Sequence, residues 1–290
     1  MNDTRPQSRF RSLYRQSLPG SRINEDEAGL HGSYAWIVDG ATGLSGGRLT
    51  AGATDAAWLA RTIGQKLGGV ASSADVGEVF DWLETGVRDA FAEEAVQTAD
   101  SEGHGPSACL GLLRVCARAN GKLLLEGGFL GDVVALVPSA NGVVRWTDER
   151  AKPFERRTLA ALAPGGHEPG QIPEAVRRQI LENREQLNRP EGYWVVHPTR
   201  PWAGRELRFE TEAAPDEPIV LATDGFMRLV DVFGAYSDAS LHARLAAGEG
   251  EDLMQELREL ERSDPKAGVY PRVKIHDDAT VLVIAAEPYG

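Results

Sequence analysis

Five acidic positions in this chain of 290 residues stand where a buried strand begins or ends. Asp39 follows the apolar run Tyr34 to Val38 in YAWIVDG. Asp224 closes PIVLATDG, Asp277 opens DDATVLVI, and Glu25 and Asp26 lie just ahead of the first run, in SRINEDEAGL. A carboxylate at a buried strand end is unfavourable unless it is paired or bound to a cation. The nearby bases, Arg22 and Lys274, are too few to neutralise five acids. Hard divalent cations such as Mg²⁺ or Mn²⁺ take oxygen ligands of this kind, so the set predicts an oxygen-lined metal centre. The competing reading makes each cluster a solvated loop and each Asp-Gly an ordinary turn. One pair alone fits that reading; the recurrence of the pattern at separate strand ends argues against it.

Other metal and nucleophile chemistries find little support. Cys109 and Cys116 are the two cysteines, with no CxxC or CxxH spacing for zinc. On one strand, positions seven apart point to opposite faces and are too distant to bridge. Reduced thiols are therefore expected, as in a cytoplasmic protein. The six histidines are scattered singly. A net charge of −12 argues against nucleic acid as a partner. No apolar run reaches the roughly 20 residues of a membrane helix, so no membrane partner is expected.

The elements that must position the acids follow from periodicity. Ala53 to Leu67 and Asp75 to Ala99 carry helical apolar stripes. SACLGLLRVCARA, GKLLLEGGFLGDVVALVPS and GVVRWTD are short apolar runs split by ANG and GG, which predicts a meander of strands with tight turns. Helices are expected over Glu155 to Leu162 and Pro173 to Leu187, strands over EGYWVVHP, RELRFETEA and EPIVLATDGF, helices over DASLHARLAAG and EDLMQELRELERSD, and a closing strand over DDATVLVIAAE. Sequential strands and two separate groups of helices predict a layered α+β fold, two largely antiparallel sheets face to face with helices outside. A parallel doubly wound sheet fits poorly, because the middle strands lack helices between them. Residues 1–15, with Arg5, Arg9, Arg11 and Arg15, read as a flexible basic arm. Residues 16–290 read as a single domain.

At this level the sequence resembles the metal-dependent serine/threonine protein phosphatases of type 2C, the PPM type. NEDEAG, WIVDGATG, GPSACLGLLRV, GGFLGDVVALV, IVLATDGF and DDATVLVI follow the family's motifs in order along nearly the whole chain. The resemblance implies a four-layer α-β-β-α sandwich and hydrolysis of phosphoserine or phosphothreonine by a water activated at two Mn²⁺ or Mg²⁺ ions. Carried over residue by residue, Asp39 bridges the two metals. The Gly40 carbonyl and Glu25 serve one of them, Asp224 and Asp277 serve the other, and Asp26 orients a water. Asp148, after Thr147 and before Lys152-Pro153, matches the place of a ligand to a third ion; the alternative is a turn acid paired with Arg150.

The sequence also departs from the family. The phosphate-gripping arginine falls at Ser21, with Arg22 one residue closer to the acids. Ala41 stands where many members have a histidine, and Thr42 breaks the usual double glycine. His276 is a weak substitute as an acid. GGFLGD reads as a hairpin turn rather than a phosphate cradle, since no helix follows it. Roughly 150–215 departs most and corresponds to a variable flap, with Tyr193 and Trp194 as core. Three functions compete: a phosphoprotein phosphatase, an enzyme on a small phosphorylated molecule, and an inactive phosphatase-like regulatory or binding module.

Overall fold

Strand alternation builds the core of this protein. In β3 (Tyr34–Ala41), Tyr34, Trp36 and Val38 face one way and Ala35 and Ile37 the other. Both sets are buried, so the strand lies between two apolar layers. The computed structural model describes residues 8–41, 48–96, 105–117 and 122–288. Arg5, Thr42 and the expected helix end at 97–99 lie outside the described residues.

Two five-stranded antiparallel sheets are stacked face to face. One runs in the order β1 (Ser8–Leu18), β10 (Ala279–Pro288), β9 (Pro218–Ala222), β6 (Val134–Ser139), β7 (Gly142–Trp146). The other runs β2 (Asp26–His31), β3, β4 (Ser107–Ala117), β5 (Leu123–Leu130), β8 (Leu207–Ala213). Ile37, Leu113, Phe129, Ala135, Leu221 and Ile284 fill the space between them. Helices α1 (Asp55–Leu67) and α2 (Val76–Glu94) cover the outer face of the second sheet, packing Leu59, Ile63, Phe80 and Leu83 against Trp36, Leu110 and Leu112. Helices α5 (Asp224–Asp231), α6 (Asp238–Ala246) and α7 (Gly250–Ser263) cover the first, through Phe226, Leu229, Leu241 and Leu257. The expected α-β-β-α sandwich is thus the observed one. The helix starts are well specified: Thr54 caps α1, and Asp75 with Glu78 forms a capping box on α2.

Several local expectations are corrected. Residues 8–15 are not a loose arm but most of edge strand β1. Phe10 points into the core, while Arg9, Arg11 and Arg15 face outward and pair with Glu287, Asp216 and Glu27. GGFLGD is not a hairpin: β5 and β6 belong to different sheets, and Gly131-Asp132 carries the chain from one to the other. Gly131 has φ +75°, and a Cβ there would be driven into the Cys109 thiol. EGYWVVHP forms isolated bridges, Ala108 with Val196 and Leu187 with Tyr193, rather than a strand. Trp194 nonetheless joins the core, and Tyr193 packs on Phe154 of α3 (Lys152–Ala160). Beside α3 lies α4 (Glu174–Arg184). Asp224 does not end a strand: it opens α5, where the helix dipole favours an acid in the first turn.

Candidate active site

The topology brings the acid-bearing ends of both sheets to one edge of the sandwich. In the second sheet, Asp26 at the start of β2 lies directly across from Asp39 near the end of β3. In the first, β9 ends at Ala222 beside Val281, which places Thr223 and Asp224 next to the entry of β10 at Asp277 and Asp278. Side chains tie the two edges together. The Thr223 hydroxyl donates to Asp26 Oδ2 at 2.9 Å. Gly20 N–H and Glu25 N–H each donate to Asp278, at 2.7 Å. Gly40 N–H donates to the Glu25 carbonyl at 3.1 Å, joining the loop before β2 to the end of β3. Gly225 makes this meeting possible, since a Cβ there would be driven into the Asp278 carbonyl.

The carboxylates act on one another strongly. Burial pushes the Asp39 carboxyl well above the ordinary aspartate range, and Asp26, Asp224 and Asp132 push it further, with Lys274 opposing. Asp26 is pushed up to about 8, first by burial and also by Asp278 and Asp224, against hydrogen bonds from Thr280 and Thr223. Asp224, which keeps an exposed surface, rises to about 6 through desolvation of its carboxyl, Asp132 and Asp277. Glu155 of α3, although it keeps an exposed surface, rises to about 8 through desolvation of its carboxyl and through Asp132.

Sequence reasoning assigned no role to Asp132, Glu155, Asp278, Thr223 or Arg228. Asp132 could have been found in the Gly-Asp of the β5–β6 passage. Arg228 stands one helical turn after Asp224. It donates to Glu261 at 2.8 Å and to Asp277 Oδ2 at 2.7 Å, all three side chains being largely buried. Lys274 donates to the other Asp277 oxygen at 2.6 Å. His276 Nδ1 lies 2.9 Å from Glu261 Oε2.

A cavity of 170 Å³ opens beside the acids, lined among others by Arg22, Glu25, Lys274, His276, Asp277 and Asp278. Arg22 is exposed at its rim. Asp148 sits beside the β5–β6 passage, accepting from Gly131 N–H at 3.4 Å and donating its own N–H to the Gly131 carbonyl at 3.2 Å. It is buried, with both oxygens on Arg150, at 2.8 and 2.6 Å, and it caps the short turn Glu149–Ala151 through Arg150 N–H.

The donor chemistry fits a hard cation at one part of this cluster. Asp26, Asp39, Asp132 and Asp224 are hard oxygen donors held close together, and Asp26 Oδ1 is buried without a hydrogen-bond partner. At Asp277 the fit is poor, because both oxygens already receive basic side chains. Among the described residues, no three His, Cys, Asp or Glu side chains form a ready metal-binding array. The carboxylates are turned instead toward each other, toward N–H groups and toward Arg228 and Lys274.

No profile of a known protein family matches the sequence, and no curated protein matches it. Solved structures do. The chain is similar to the catalytic domain of the serine/threonine protein phosphatase PstP in complex with two manganese ions, at 14% identity and TM-score 0.55, covering 96% of this chain and 99% of that one. It is similar to the PPM Ser-Thr phosphatase MsPP from Mycobacterium smegmatis in complex with cacodylate, at 17% identity and TM-score 0.52, covering 94% and 98%. It is also similar to the serine/threonine phosphatase Stp1 from Staphylococcus aureus, at 16% identity and TM-score 0.52, covering 98% and 96%. The fold of this chain is that of the bacterial PPM-type phosphatases. Among the described residues, no helix is long and apolar enough to cross a membrane.

Proposed function

We propose that this chain is a divergent PPM-type phosphatase that hydrolyses phosphate monoesters, with phosphoserine and phosphothreonine in proteins as its substrates and Mn²⁺ or Mg²⁺ as its cofactor. The observation that carries this reading is the group Asp26, Asp39, Asp132 and Asp224, partly open to solvent, gathered where the two sheets meet and including the buried, unpartnered oxygen of Asp26. Asp39, Asp224, Glu25 and the Gly40 carbonyl would hold cations there. Asp277 could join them only by giving up a basic partner. Bound cations would acidify a water and offset charge on the phosphoryl oxygens.

The chain's own groups divide the remaining work. Arg22, exposed at the cavity rim, would grip an incoming phosphate. Asp26, fixed through one oxygen by Thr223, keeps its other oxygen to orient a water. His276 holds Glu261 through Nδ1, and protonation of the leaving group would fall to solvent. Asp148, paired with Arg150 and accepting from Gly131 N–H, would serve a structural role rather than hold a third metal.

The test is turnover of an aryl phosphate and a phosphopeptide panel with Mn²⁺, with and without chelator. Metal-dependent release of phosphate is the expected result. The engagement of Asp277 by Arg228 and Lys274 favours one rival, a phosphatase-like binding module. Phosphopeptide binding without any turnover at saturating Mn²⁺ would replace the enzyme reading with that one.

A further inference from the structure

Asp277 holds two basic partners of unlike character. Arg228 Nη2 lies 2.7 Å from Oδ2, on a side chain 7% exposed that is also pinned by Glu261. Lys274 Nζ lies 2.6 Å from Oδ1, but its side chain is 52% exposed and borders the 170 Å³ cavity. The guanidinium is a fixed part of the wall. The ammonium is a point charge on a flexible stem with space to leave. Its field also reaches Asp39 and Asp224, beyond the partner it touches. It therefore supplies positive charge to the same carboxylates that a divalent cation would use, and it takes one of their oxygens.

We propose that Lys274 is a built-in counter-cation of the acid cluster, competing with a divalent cation for Asp277, so that filling the Asp277 side requires the Lys274 side chain to move into the cavity. The proposal rests on the reading of the cluster as a metal centre. Two consequences follow from charge alone. Without metal, Lys274 stabilises the fold by offsetting crowded carboxylates. With metal, the same ammonium repels the ion and weakens its binding. A neutral side chain at 274 must therefore harm the metal-free protein and favour the loaded one.

The experiment is calorimetric titration of Mn²⁺ into chelator-stripped full-length protein, beside thermal melts with and without Mn²⁺. The variants are Lys274→Met, Lys274→Gln as a second neutral side chain, Lys274→Arg to retain charge, and Lys266→Met as a remote control on an exposed lysine paired with Glu168. Both neutral variants should bind Mn²⁺ at least about tenfold more tightly, about 1.4 kcal/mol, or take up one more ion per chain. They should melt lower than wild type without metal and gain more from Mn²⁺. Lys274→Arg should bind no more tightly than wild type, and Lys266→Met should match it. Equal affinity and stoichiometry in wild type and both neutral variants would overturn the role of Lys274 while leaving the metal centre standing. Absence of Mn²⁺ binding in every protein would overturn the metal centre and this proposal with it.

Discussion

Replacing Arg228 by methionine keeps most of the aliphatic stem and removes the charge that joins Glu261 to Asp277. Burial opposes the charged guanidinium, but Asp277, Asp224 and Glu261 more than offset it, so Arg228 stays protonated at any accessible pH. Breaking a buried ion pair by deleting one partner destabilises by about 3–5 kcal/mol, because a charge is left behind unpaired. Neither carboxylate is stranded entirely here. Glu261 keeps Arg258 at 2.6 Å and His276, and Asp277 keeps Lys274. The expected loss is therefore at the low end, about 3 kcal/mol. At roughly 2–4 °C per kcal/mol for a large domain, the metal-free protein should melt roughly 6–12 °C lower. Differential scanning calorimetry on chelator-treated protein measures it. Adding Glu261→Gln to Arg228→Met should recover part of the loss, since a neutral amide no longer needs the guanidinium. A single-variant loss below about 1 kcal/mol, or no recovery in the double variant, would refute the view that Arg228 is the electrostatic anchor of this edge.

Two further outcomes follow from the same geometry. Asp39→Asn should lower kcat by more than about tenfold, at least about 1.4 kcal/mol in the barrier, while the metal-free variant melts no lower than wild type, because burial and three neighbouring acids oppose the native carboxylate; retained turnover in steady-state assays would contradict a central role. Asp264 is opposed by burial, yet the N–H groups of Tyr270, Val269 and Gly268 and the Arg272 guanidinium hold it down at about 2. Its stabilisation is complete above the ordinary aspartate value and is lost as pH falls through about 2, so the melting gap between wild type and Asp264→Asn should close between about pH 5 and pH 2.

How far the sequence disclosed this arrangement depended on the range of each interaction. The layered α+β class was legible because β3, β9 and β10 are apolar on both faces and the helices carry clear stripes. Asp39, Asp224 and Asp277 were legible because an acid beside a buried run is anomalous by itself. β1 was hidden because its outward face is arginine-rich, and β2 because DEAGLH is acidic and poor in branched residues. α5 was hidden because DGFMRLVD follows β9 with one residue between, and Asp-Gly mimics a turn. The Arg228 network was invisible in principle: its partners lie 33 and 49 residues away, and no local pattern encodes such a meeting. Asp148 was ambiguous in sequence, and its bidentate pairing with Arg150 became apparent only with the side chains in place.

The way each carboxylate is satisfied separates strut from site within one cluster. Asp278 gives both oxygens to backbone N–H groups of the loop before β2, so it fastens one sheet to the other. Asp277 gives both to basic side chains and completes the charge balance on the α5–α7 side. Asp26 gives one oxygen to Thr223 and leaves the other buried and unanswered. Asp39 and Asp224 lie close enough that each acts on the other's charge, a repulsion that a cation between them would relieve. A buried polar atom without a partner opposes folding, and the three apolar layers of this sandwich tolerate the defect where a purely structural cluster would have closed it. Among the described residues of this edge, the unsatisfied carboxylate oxygen is Asp26 Oδ1, with Asp39, Asp224 and Asp132 close by. Under the proposed metal-centre reading, that asymmetry favours the β2–β3 side of the cluster over Asp277 as the place for a cation.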